Sequence, residues 1–80
     1  MMLAPTPDFD GRLALARQEW RLTERQTAVL RRLALGDANK EIADQLRITV
    51  RTVELHVGDL MRRANVESRL RLVAKLWMGA

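Results

Sequence analysis

The chain has 80 residues, with fourteen Lys and Arg against ten Asp and Glu, a formal charge of +4 and a pI near 11.0. That length makes one small domain whose core is marginal, so support from a second copy or a partner is expected. The absence of cysteine excludes disulfides, thiolate metal sites and thiol nucleophiles and suits a reducing cytoplasm.

No apolar run approaches the roughly 18 residues of a membrane span, and MMLAPTPDFD lacks the basic start and apolar block of a secretory signal. Twelve of the cations are arginines, and only Lys40 and Lys75 are lysines. Arginine suits bidentate contacts with phosphate and guanine edges, although an excess of this size is also ordinary for solubility. A single histidine and no phosphate-cradling glycine loop leave no catalytic constellation, no metal set and no cofactor site.

Residues 1–10, with two prolines and no apolar period, read as a flexible lead-in. From 11 to 20, GRLALARQEW places Leu13, Ala16 and Trp20 on one side of a short helix, weakened at its start by Gly11. Leu22-Thr23-Glu24-Arg25-Gln26 is a stronger start. Thr23 with Gln26 three residues on makes a capping box, and Glu24 complements the helix dipole. This helix runs to Leu35 and stops at Gly36.

Asp37-Ala38-Asn39 opens a two-turn helix held by Ile42, Ala43 and Leu46, and Arg47-Ile48 turns into a longer one capped by Thr49. In that helix Val50, Val53, Val57, Leu60, Met61 and Ala64 form the apolar stripe. Arg51, Leu55, Gly58, Asp59 and Arg62 face away from it, with Thr52 and Glu54 at the edges. Two helices joined so tightly make a helix-turn-helix, and a front of short polar groups and arginines suits a major groove. Any amphipathic helix also has a charged front.

Asn65 is suited to a left-handed stop, and Glu67 or Ser68 begins a last helix bearing Leu70, Leu72, Val73, Leu76 and Trp77. These residues cover more than one contact face needs, which calls for a second contact, either the N-terminal helix with Trp20 or another subunit. His56, alone at the flank of the stripe, reads as a packing residue, and Arg31 and Arg32 as solvated.

The run from Leu22 to Gln26, then Val29-Leu30, Gly36, Asn39-Lys40-Glu41-Ile42-Ala43, Leu46, Ile48, Thr52-Val53, His56, Leu60, Arg63, Val66 and Arg69 resembles the LuxR/FixJ/GerE-type helix-turn-helix over about residues 21–78. The resemblance implies an all-α fold, a four-helix bundle to which residues 11–20 add a short N-terminal helix. It implies a DNA-binding transcriptional regulator with its third helix, about 50–64, in the major groove of double-stranded DNA. It further implies a homodimer on two half-sites, often through the last helix, here Leu72, Val73, Leu76 and Trp77.

Carried onto this chain, the phosphate contacts fall to Lys40, Thr49 and Thr52 and to the basic end at Arg62 and Arg63, with Arg51 added from the front of the helix. The base-facing positions are Glu54, Leu55 and Gly58. Glu54 and Gly58 depart from the basic or polar side chains that many members carry there, and Ala38 stands where a Ser or Thr cap is usual. Glu54 suits cytosine N4 and Leu55 a thymine methyl. The acidic residues also support a different reading, a protein-interaction module of the same fold with weakened DNA binding that pairs with another regulator.

Overall fold

The computed structural model describes residues 7–78, and all regular structure among them is helical: α1 Pro7–Glu19, α2 Glu24–Ala34, α3 Asn39–Leu46, α4 Val50–Ala64 and α5 Arg69–Trp77. The expected four-helix bundle with an added N-terminal helix is the architecture found. α4 packs on α2 and α3, α5 lies against α2 and α4, and α1 closes the bundle against α2 and α5.

α2 forms where its capping signal stands. The Thr23 hydroxyl accepts from Gln26 N at 3.1 Å, and Gln26 Oε1 accepts from Thr23 N at 2.9 Å. Two otherwise unpartnered amides of the first turn are thereby satisfied. Thr49 caps α4 in the same way, accepting from Thr52 N at 3.0 Å, and Ser68 caps α5, accepting from Arg71 N at 3.1 Å.

α3 is the exception, because Ala38 has no side chain to offer its first turn. Only half of a box survives there, Ala38 N donating to Glu41 Oε1 at 2.7 Å. Asp37 and Asn39, on either side of Ala38, are engaged elsewhere. Arg69 reaches across from α5 to donate to the Asp37 carbonyl at 2.8 Å and to Asn39 Oδ1. A guanidinium thus fastens the start of α3, a helix too short to persist on its own propensity.

All four junctions between helices share one geometry. Arg21, Gly36, Arg47 and Asn65 each have positive φ, and the amide after each donates to the carbonyl five residues back. This is the Schellman termination, which turns the chain sharply while satisfying the last carbonyls.

The core is one cluster drawn from all five helices, with Val29, Leu30, Ile42, Val53, Leu60 and Leu72 fully buried. On α4 the stripe is narrower than expected. Val53, Val57, Leu60 and Ala64 are buried, Val50 is exposed and Met61 half-buried.

α1 departs most from expectation. It begins at Pro7, four residues before Gly11, with proline at a position where its missing amide costs nothing and with Asp8 and Asp10 in the first turn. Phe9, assigned to the lead-in, is 1% exposed and stacks on Trp77 of α5 at 5.0 Å between ring centroids. Arg31 stands over the Phe9 ring at 5.1 Å and donates to Asp10 Oδ1 at 2.8 Å, so it ties α1 to α2 while remaining exposed to solvent as expected. The rest of the lead-in, residues 1–6, lies outside the described residues.

Candidate nucleic-acid interface

α3, the turn at Arg47-Ile48 and α4 form a helix-turn-helix whose second helix is held from behind and open in front. Its start is set by Thr49, whose hydroxyl lies 2.9 Å from that of Thr52. Arg25 of α2 secures the turn by donating to the Leu46 carbonyl at 2.9 Å. Its far end is secured twice, by Lys75 of α5 donating to the Ala64 carbonyl and by a network around Asp59.

In that network Gln26, the one buried polar residue among those described, donates through Nε2 to Asp59 Oδ2 while its Oε1 serves the α2 cap. Arg63 Nε donates to the same carboxylate at 2.8 Å, and its Nη1 donates to the Arg21 carbonyl at 2.9 Å. Arg62 donates to Asp59 Oδ1. The hydrogen bond from Arg63 is the main cause holding the Asp59 carboxyl below its ordinary value of 3.8. The positive charges of Arg63 and Arg62 and the amide of Gln26 add to it, while partial burial opposes.

Facing outward on α4 are Arg51, Leu55, Gly58 and Arg62, at spacings of four, three and four. At 100° per residue they fall within about 60° of one another and form one ridge. The Arg51 and Arg62 side chains are 76% and 77% exposed, and Leu55 is 58% exposed. Glu54 flanks the ridge, 3.8 Å from Arg51. Among the described residues no group of His, Cys, Asp and Glu is placed to hold a metal ion, and no helix is long and apolar enough to cross a membrane.

The family model described as bacterial regulatory proteins, luxR family, matches residues 21–76. The chain belongs to this family. The nitrate/nitrite response regulator protein homolog of Haemophilus influenzae is 49% identical over 49 residues, 61% of this chain and 24% of that protein. The transcriptional regulatory protein UhpA of Escherichia coli is 38% identical over 74 residues, 92% of this chain and 37% of that protein. The oxygen regulatory protein NreC of Staphylococcus carnosus is 40% identical over 52 residues, 65% of this chain and 24% of that protein. The chain thus spans between about a quarter and two fifths of the length of these curated relatives, and no solved structure matches it.

In this luxR-family chain Lys40, Thr49, Arg51 and Arg62 are exposed and Thr52 half-exposed, all at or near the starts of α3 and α4 or on the α4 ridge. Arg63 is exposed as well, and its guanidinium also bonds Asp59 and the Arg21 carbonyl at the α1–α2 junction, so it ties the scaffold together. Glu54, Leu55 and Gly58 lie on the outer side as expected, whereas Asp59 is neutralised on site by two arginines.

Of the four residues assigned to a dimer face, Leu72 and Leu76 are 0% and 2% exposed, enclosed by the chain's own core, and offer nothing to a second copy. Trp77 is half-buried on Phe9, so the surplus apolar surface of α5 is met in part by α1. Trp20 is buried, with Lys75 Nζ 6.0 Å above its ring, and His56 is half-buried on the flank of α4. Sequence reasoning missed Gln26 as a link to α4 and Arg69 as the fastening of α3. The i,i+4 spacing of Asp59 and Arg63 was a visible sign of the network, but its third member lies 33 residues from Asp59 in the chain.

Proposed function

We propose that the chain is the sequence-specific DNA-binding part of a bacterial transcriptional regulator and docks α4 in the major groove of double-stranded DNA. The observation that carries this reading is the α4 ridge, with an exposed guanidinium at each end and Leu55 and Gly58 between. Cations at the ends suit the phosphates that border a groove, and the middle suits base edges, where Leu55 meets a thymine methyl and Glu54 cytosine N4. Lys40, Thr49 and Thr52 add contacts to the backbone at the starts of the two helices.

The acidic residues behind the reading as an interaction module with weakened DNA binding do not stand alone, since Asp59 is bound by Arg62 and Arg63 and Glu54 lies 3.8 Å from Arg51. Two copies on two half-sites remain the expected assembly. The α5 surface open to a second copy is the stripe of Leu70, 78% exposed, and the half-buried Val73.

The deciding experiment is anisotropy titration of the chain against a labelled random-sequence duplex at several salt concentrations. A log-log slope of about −0.9 per phosphate neutralised is expected. Lys40→Glu should weaken binding to every duplex, and Leu55→Ala or Glu54→Ala should change the preferred sequence. Unchanged affinity in Lys40→Glu means that another face docks.

A further inference from the structure

Gly58 occupies the middle of a fifteen-residue helix, where glycine is among the poorest residues for stability. Nothing among the described residues asks for it. Its φ is not in the left-handed region, and a Cβ built there meets no atom within 4 Å. Gly11 of α1 is equally open, but it stands near the start of its helix on an outer face with no row of exposed cations. Gly58 lies in the exposed ridge of α4, between Leu55 and Arg62, so the ridge has a notch at its centre where backbone is bare.

The two ends of the ridge are cationic, and their Cα atoms stand about 16 Å apart at 1.5 Å per residue. A helix held at both ends by phosphates brings its middle closest to the floor of the groove, and a missing side chain there lets the backbone descend further. One wall of the notch is apolar. Leu55 forms it, while the peptide groups of Gly58 are engaged in the helix and Glu54 and Arg62 stand one turn to either side. Of the groups on a major-groove floor, donors and acceptors set against the Leu55 wall would lose their water without gaining a partner. The one apolar group there is the C5-methyl of thymine.

Building on the DNA reading above, we propose that Gly58 is the point at which α4 seats on the groove floor, and that the notch and the Leu55 side chain beside it take up a thymine methyl. Specificity at this position comes from space and apolar contact instead of a hydrogen-bonding side chain.

The test starts from duplexes selected by the wild-type chain from a random pool, each bound also with deoxyuridine in place of each thymine in turn. Removing the methyl at the contacted position should weaken wild-type binding about fourfold, the equivalent of one buried methylene. Gly58→Ala should raise the melting temperature by about 4–8 °C, weaken binding to the selected duplex about tenfold through overpacking, and erase the thymine preference. Opposite signs on stability and affinity are the signature of a glycine kept for its ligand.

Gly58→Ala binding as tightly as wild type, with the same thymine preference, overturns the proposal. A wild-type chain indifferent to uracil at every selected thymine overturns the assigned occupant. Failure of the wild type to bind any duplex at low salt is a different result and overturns the DNA reading itself.

Discussion

Asp59 and Arg63, one turn apart on α4, are joined by a hydrogen bond of 2.8 Å, and through it the end of the outward-facing helix is fastened to the junction between α1 and α2. The depressed carboxyl of Asp59 gives this network a direction with pH. A group titrating lower when folded adds stability above its unfolded value and loses it as pH falls through the folded one. Wild type and Asp59→Asn should therefore differ by about 1 kcal/mol at neutral pH, and the gap should close as the solution is acidified below 3.8. Urea titrations of both chains across pH 2–7, roughly the window in which a carboxylate changes charge, would show it. A gap that stays constant at low pH would falsify the assigned role of the carboxylate.

Arg51 and Arg63 are both arginines of α4 and should behave oppositely. Arg51→Gln is expected to leave the melting temperature nearly unchanged and to reduce the salt slope of DNA binding by about one contact. Arg63→Gln should lower the melting temperature and leave the slope as it was. Thermal melts and salt-dependent titrations of the two variants separate scaffold from contact. A lower slope in Arg63→Gln would return that residue to the interface.

Phe9 has its ring between Trp77 and the Arg31 guanidinium, closed off from solvent. Phe9→Ala should cost about 3 kcal/mol or more, the usual range for deleting a buried aromatic ring. Chemical denaturation checks this, and a loss below 1 kcal/mol, on the scale of a surface change, would mean that α1 contributes little to the fold.

Arg47 holds φ +58 in the turn between α3 and α4, where a side chain crowds the following carbonyl. Arg47→Gly should stabilise the chain by about 0.5–1 kcal/mol despite the added freedom of the unfolded state, while Arg47→Val should destabilise it. Melting temperatures of the pair decide the matter, and the same sign in both would remove backbone strain as the explanation.

The parts legible from sequence were those whose signal lies within one turn of helix. The Thr23–Gln26 box, the Thr49 cap, the Gly36 and Asn65 stops and the outward face of α4 all follow from residues three or four apart. What escaped depended on distant partners or on conformations that residue type does not announce. Arg21 and Arg47 adopt left-handed geometry because the packing of the helices on either side demands a sharp turn there. Phe9 stands four residues before Leu13 and continues the stripe of Leu13, Ala16 and Trp20, but Gly11 and the prolines before it obscured the start of α1, and its partner Trp77 is at the other end of the chain. Leu72 and Leu76 looked available to a second copy because a stripe of leucines does not say whether the surface it meets belongs to the same molecule.

The aromatic stack of Phe9 on Trp77 joins two residues that both fall outside the family-matched span of 21–76. The family-matched span and the packed core therefore have different lengths in this molecule. A fragment trimmed to the family-matched span would keep the turn and every residue of the outward ridge, yet bare the flank of α5 to water. It would be recognisable in sequence yet lack part of its core, because the span that the family model matches is shorter than the packed cluster.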